Sequence, residues 1–391
     1  MARAIIAKDE GGGNMARAIT AKDGGGGNMA RAITAKDEGG GNMARAITAK
    51  DEGDGNMARA ITAKGGGLLA ALLAAMIVSG EAAAAEKLTF AIPGVPPVFS
   101  GLVALVAKEE GFFKKHGVEV DVRPFDSGAA AAQAVVAGNI DLSLSPTPVV
   151  VRMVSNADVK LVGIYGMENP DWLLGSSDPK LARCQDLKGQ GVGVDAIGGA
   201  RAVALAQLIR PCDLKVEDVK LVSLSSNVGA AIIAGQVKFG VLHLDDVPVL
   251  EEQMGRPITV IRSFKDVSPV THYNLIICTP DRLKEKRASY VRALAGWIEA
   301  TKFMLDPKNA DRVAQIATAT GRSAKLAKEA LPKLYQIEFW PAGHDGLAKA
   351  NLEKVIAVEK EIGGIKPGKQ PVSYDRLVDR SVWKDARALV K

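Results

Sequence analysis

The stretch FDSGAAAAQAVVAGNIDLSLSPTPVV, residues 125–150, decides the fold. Asp126 or Ser127 can accept the first free N–H groups of a helix, so a helix is expected from Gly128 to Ala137. Gly138 ends it, and NIDLSLS returns as an apolar strand. A fainter copy follows at SSNVGAAIIAGQVKFGVLHLDDVPVL, residues 225–250, with the same order of polar cap, short Ala-rich helix, Ala-Gly and strand. Two such units, one per lobe, would turn two helix N-termini and two strand C-terminal ends toward a shared crevice. In open α/β sheets that is where ligands sit. Unpaired N–H groups and the helix dipole favour an anionic or strongly polar group there.

Strand-like runs recur on both sides of this stretch. KLTFAIP (87–93), VEVDVRPFD (118–126), IDLSLS (140–145), VKLVGIY (159–165), WLLGSS (172–177), GVGVDAI (191–197), VKLVSLS (219–225), FGVLHL (239–244), ITVIRSF (258–264) and YNLIICT (273–279) are apolar or alternating. Amphipathic or Ala-rich segments of helical length separate many of them, and beyond Pro280 the pattern becomes almost wholly helical. This order predicts an α/β protein with largely parallel sheets and a helical C-terminal tail.

The N-terminal region reads differently. MARAIIAKDEGGGN, MARAITAKDGGGGN, MARAITAKDEGGGN and MARAITAKDEGDGN fill residues 1–56. Each unit has few large apolar groups and many glycines to order, so residues 1–56 are expected to be disordered. From Met57 a secretory signal is expected over residues 57–85. Arg59 and Lys64 give the basic start, Leu68 to Val78 the apolar run, and Ala83-Ala84-Ala85 the small residues at a cleavage site near Ala85. Eleven apolar residues are too few to span a bilayer, which takes about 20. The expected product begins at Glu86 and is periplasmic. The formal net charge of +6 for the chain is modest and spread over interleaved acids and bases, which argues against a nucleic-acid partner.

Cys184 precedes the strand GVGVDAI, and Cys212 follows the helical ARAVALAQLIR (200–210). A helix returning toward the start of its strand would bring these two thiols together, and a disulfide is the favoured reading. Cys278, inside NLIICT, is expected to be a buried free thiol.

The combination of Ser-Gly after a strand, an Ala-rich helix, Gly-Asn-Ile-Asp and a strand ending in Ser-Pro-Thr-Pro resembles the periplasmic substrate-binding proteins of the nitrate, sulfonate, taurine and thiamine-precursor importers. LVALVAKEEGFFKKHGVEVDV (102–122) is similar to the opening of that family, and DLKGQGVGVDAIGGA (186–200) to its entry into the second lobe. The resemblance implies a two-lobed periplasmic-binding-protein fold of type II. Lobe 1 would comprise residues 86–178 plus 267–391, and lobe 2 residues 179–266. It further implies a small-molecule solute, delivery to an ABC permease and its ATPase in the inner membrane, and a chain acting as a monomer without cofactor. The second copy departs from the family where Gln236-Val237-Lys238-Phe239-Gly240 runs into His243-Leu244-Asp245-Asp246. An acid at Asp245, if it points into the crevice, would suit a ligand with a donor or positive group.

Topology nominates the crevice residues, which are strand ends and helix caps: Val98, Phe99, Ser127, Gly128, Ser145, Thr147, Tyr165, Gly198, Gly199, Asn227, His243 and Asp245. Ser127 and Asn227 can equally serve only as caps, Phe99 and Tyr165 as core, and His243 as a structural histidine. No catalytic group is expected. His116, His243, His272 and His344 show no metal-type spacing. Gly191 to Ala196 matches a dinucleotide fingerprint formally, but its glycines open a strand instead of following one. Gly363 to Lys369 lacks the Ser or Thr of a phosphate loop. A carrier is therefore the leading reading, and an enzyme of thiamine-pyrimidine or related biosynthesis on the same fold is the alternative.

Overall fold

The computed structural model describes residues 86–225, 227–341 and 343–390, together with the backbone of five short strands in the repeats. Those strands, Ile5–Lys8, Met15–Thr20, Met29–Thr34, Arg45–Lys50 and Met57–Thr62, pair antiparallel in chain order. The expected disorder of residues 1–56 otherwise falls outside the described residues, as do the apolar run and cleavage site of the expected signal.

From Glu86 onward the ten expected strands all form. They are β1 (Glu86–Pro93), β2 (Val118–Phe125), β3 (Leu142–Pro146), β4 (Val162–Met167), β5 (Leu173–Ser176), β6 (Gly191–Val194), β7 (Lys220–Ser223), β8 (Phe239–Leu242), β9 (Thr259–Ser263) and β10 (Asn274–Cys278). They divide into two five-stranded sheets, ordered β2-β1-β3-β10-β4 and β7-β6-β8-β5-β9. In the first sheet β1 runs parallel to β2 and β3, while β10 is antiparallel to both its neighbours. The second repeats the plan, with β6 parallel to β7 and β8, and β5 reversed. Four strands of five thus share a direction in each sheet. The reversed strand is in each case the one that has just crossed from the other lobe.

This pairing moves one boundary. WLLGSS was expected in lobe 1, but β5 is hydrogen-bonded between β8 and β9 of the second sheet. The chain therefore crosses between Met167 and Leu173, and returns between Ser263 and Asn274. All four residues of β5 are buried, so its hydrophobicity is the same in either sheet and only partner choice distinguishes them.

Local chemistry explains the elements that reach the crevice. The helix α1 (Gly128–Val136) starts where Ser127 Oγ accepts from Ala130 N at 3.2 Å, a cap of about 1 kcal/mol. Its first residue is glycine because a Cβ there would lie 2.3 Å from Pro146 Cδ at the end of β3. The helix α2 (Ala200–Ile209) follows β6 and returns along the second sheet, and Cys184 and Cys212 form a disulfide with Cα atoms 6.0 Å apart. Cys278 is a buried free thiol.

The helical tail packs mainly on the first sheet. Its central member α3 (Arg287–Leu305) buries Trp297 against Phe90 and Tyr165, at ring distances of 5.5 and 6.0 Å. One later helix, α4 (Ala324–Gln336), instead reaches across to the second lobe, where Lys325 lies 3.2 Å from Glu252. Among the described residues no helix is long and apolar enough to cross a membrane.

Candidate functional site

The two sheets point their strand C-termini at one cleft, as the parallel topology requires. Lobe 1 contributes Gly94, Val98, Asp126, Ser127, Gly128 and Pro146; lobe 2 contributes Asp195, Arg201, Ser225 and His243. The two crossings supply Trp172, Tyr273 and Asn274. At the mouth, Ser225 Oγ donates to the Asp126 carbonyl at 2.8 Å and joins the lobes. The free space between these residues is about 30 Å³, room for roughly two waters. A solute larger than that requires the lobes to part.

An aromatic wall backs the cleft. The His243 ring lies over Trp172 with centroids 4.0 Å apart, and Tyr273 meets Trp172 edge-on at 5.5 Å. The Arg201 guanidinium sits 5.7 Å from the same indole. Such a wall favours planar or apolar ligand surface, with the cation adding preference for negative charge.

The polar groups divide into satisfied and unsatisfied sets. His243 Nδ1 pairs with Asp171 Oδ1 at 2.7 Å, and Leu244 N donates to Asp171 Oδ2 at 3.1 Å. His243 N donates to Asp246 Oδ2 at 2.9 Å. By contrast the Asn274 side-chain amide, buried to 1% exposure, has no hydrogen-bond partner at either end. Arg201, at 2% exposure, leaves Nη1 unpaired while Nη2 lies 3.5 Å from Asp246. Leaving such groups unmet costs about 1–3 kcal/mol each. They are the groups a ligand can satisfy.

Several sequence expectations are revised here. At the N-terminus of α2, beside the nominated Gly198 and Gly199, the Asp195 carboxylate accepts from Ala200 N and Arg201 N at 2.9 and 3.0 Å. The protein's own anion fills that position. Gly198 and Gly199 shape the turn before it: Gly198 has φ +77, and a Cβ on Gly199 would lie 2.6 Å from the Asp195 carboxylate. Asn227 is exposed and makes no side-chain capping bond. Asp245 points to a cation of the protein, with Arg322 Nη2 2.6 Å away. Burial pushes its carboxyl up to about 6. Burial also acts on Asp246, but Arg322 and Arg201 outweigh it and hold that carboxyl below the ordinary range.

Other candidates leave the cleft altogether. Ser145 Oγ pairs with Ser143 Oγ at 2.8 Å inside the first sheet. Thr147 Oγ1 bonds His272 Nδ1 at 2.7 Å, deep in the core. Phe99 is buried beneath the Arg322 guanidinium, 5.8 Å from its ring. Tyr165 faces a different cavity. Val98, Ser127, Gly128 and His243 do line the cleft.

Sequence reading missed Trp172, Asp195, Arg201, Tyr273, Asn274 and Arg322. A charge on the first turn of the otherwise apolar α2, and an Asn opening the apolar run of β10, were the available signs. Arg322 offers none, because its partners lie far away in the chain. Among the described residues, ligand-type atoms of Asp171, His243 and Asp245 lie within 4.8 Å of one another. His243 and Asp171 are hydrogen-bonded to each other and Arg322 supplies positive charge to Asp245, so these donors already answer one another.

Comparison with known proteins agrees with this geometry. The sequence profile of the family described as NMT1/THI5 like matches residues 98–310, just over half of the chain. A Brucella abortus (strain 2308) chain named as a binding protein is 26% identical over 136 residues, which cover 34% of this chain and 41% of that one. The match thus spans about two fifths of the curated relative. The periplasmic nitrate-binding protein NrtA from Synechocystis PCC 6803 superposes with a TM-score of 0.63 at 11% identity, over 78% of this chain and 89% of that one. The periplasmic aliphatic sulphonate binding protein SsuA from Escherichia coli gives 0.56 at 16%, over 76% and 99%. The fold is that of the periplasmic binding proteins.

Proposed function

Because the chain belongs to the NMT1/THI5-like family, we propose that it is an extracytoplasmic solute-binding protein that delivers a small ligand to an ABC permease and its ATPase. The observation that carries this reading is the cleft. Two lobes joined by two crossings meet over an aromatic wall, and the buried Arg201 and Asn274 present unsatisfied polar groups into it. A ligand that meets both lobes stabilises the closed arrangement, and that arrangement is what a permease can recognise. Relatives on this fold include proteins whose names state nitrate and aliphatic sulphonate binding.

The ligand class follows from the wall and the cation. A small planar or partly apolar molecule with an anionic or carbonyl group would stack on Trp172 and His243, accept from Arg201 and exchange hydrogen bonds with Asn274. Export through residues 57–85, a free chain in the periplasm and a monomeric state complete the proposal.

A thermal-shift panel of nitrate, sulfonates, aromatic carboxylates and pyrimidines tests it, since a ligand that binds only the folded form raises the melting temperature. The expected result is a shift with one class and recovery of that ligand unchanged by mass spectrometry. Chemical conversion during incubation would instead support the enzyme of thiamine-pyrimidine biosynthesis. No shift with any class, at saturating concentrations, would remove the carrier reading.

A further inference from the structure

Tyr165 lies on β4, the outer edge strand of the first sheet, and lines a cavity of about 380 Å³ that shares no residue with the interlobe cleft. That volume falls within the range of small-molecule sites, about 300–1,000 Å³. Every wall belongs to the first lobe. Ile298 and Leu305 of α3 form one side, Trp383 of the helix Ser381–Leu389 another, and Tyr165 with Pro341 completes an apolar lining.

Its polar groups have one sign in excess. Lys302 and Arg387 are exposed at the rim, and neither forms an ion pair among the described residues. Arg387 Nη1 donates only to the Val390 carbonyl, at 3.1 Å. The acid at the rim, Asp306, accepts from Lys308 N at 3.0 Å, and His344 is engaged by Glu338 at 3.3 Å and Glu168 at 4.0 Å. Tyr165, 2% exposed, has its hydroxyl directed at the Pro341 carbonyl at 3.4 Å, well beyond the usual O–H···O distance of about 2.5–3.0 Å. The phenol oxygen also interacts with the Trp297 and Thr301 side chains, and its O–H is only weakly met by the carbonyl. Burial pushes the phenol up, so it remains protonated and able to donate.

We propose that this cavity is a second binding site, for a small monoanion with an apolar body such as an aromatic or short-chain carboxylate. The apolar part packs on Ile298, Leu305 and Trp383. The carboxylate meets Lys302 and Arg387 at the rim, with Tyr165 donating from below. The site sits on one lobe, so its occupation does not require closure, and it stands or falls independently of the cleft.

The test is titration of the purified protein with 4-fluorobenzoate, followed by fluorine NMR, against three controls. These are uncharged 4-fluorobenzamide, the double variant Lys302→Glu with Arg387→Glu, and the cleft variant Arg201→Ala. The expected result is saturable binding of the acid that survives Arg201→Ala, weakens about tenfold or more in the double variant, and exceeds binding of the amide. Both reversed residues are exposed, and an unchanged melting temperature confirms an intact fold. Three results would overturn the proposal: equal binding of acid and amide, unchanged affinity in the double variant, or binding that vanishes with Arg201→Ala alone. Absence of saturable binding up to about 10 mM, weaker than the millimolar range of the loosest specific sites, would do the same.

Discussion

Arg322 places Nη2 2.6 Å from Asp245 Oδ2 and 2.5 Å from Asp246 Oδ1, so the helical tail of the first lobe is ion-paired to the second. Asp245 is fully buried and Arg322 nearly so. Isolating either charge leaves the other uncompensated in a low-dielectric setting.

Replacing the guanidinium should therefore be costly. Arg322→Met is expected to lower the unfolding free energy by about 3–5 kcal/mol, the range for breaking a buried pair. Adding Asp245→Asn should restore part of that loss, because the stranded charge is removed. Urea titration of the single and double variants measures both. A single variant as stable as the parent would mean that the bridge contributes nothing.

Two buried groups predict opposite pH effects. Burial raises Asp245 from 3.8 to about 6, so its contribution is present below the unfolded value and lost as pH rises through about 6. His272 is depressed from 6.5 to about 4 by burial. Its contribution is present above the unfolded value and lost as pH falls through about 4. Between pH 6 and 4 the two oppose each other. On acidification through that window, Asp245→Asn should lose stability more steeply than the parent, whereas His272→Gln should lose less. Parallel stability profiles for all three proteins would contradict both assignments.

Thr147 holds the tautomer of His272. The ring Nε2 lies 2.6 Å from the Gly346 carbonyl and must donate to it, so Nδ1 is the acceptor for the Thr147 hydroxyl at 2.7 Å. Thr147→Val is expected to cost about 1–3 kcal/mol, the penalty of an unmet buried acceptor, with ligand affinity unchanged. Loss of affinity without loss of stability would return Thr147 to the binding site.

Arg201→Lys should weaken the cleft ligand by about tenfold or more, because an ammonium cannot reproduce a planar fork above the Trp172 ring. Calorimetric titration with the ligand found in the thermal-shift panel measures the change. An affinity equal to the parent's would exclude Arg201 as a contact.

The Cys184–Cys212 bond encloses a separation of 28 residues. Reduction, or Cys184→Ser with Cys212→Ser, is expected to lower stability by about 3–4 kcal/mol in the chain-entropy account. Melting curves with and without reductant decide this. Identical curves would show that the bond is dispensable.

The sequence by itself determined the ten strands, a cap at Asp126 or Ser127, the nearness of Cys184 to Cys212 and the convergence of strand ends on one cleft. All of these follow from periodicity, capping chemistry and short-range connections, which are encoded within a few residues of one another. Tertiary structure decided which side chains face that cleft. β5 is buried along its whole length, so its hydrophobicity could not choose a sheet. Asp195 could be seen as an acid but not as the group that occupies the α2 N-terminus. Tyr165 and Arg322 went to places set by the packing of helices far along the chain. Local chemistry specifies an element and its polar ends; the partner each polar end meets depends on sheet order and on where the chain crosses, and neither is written in any single segment.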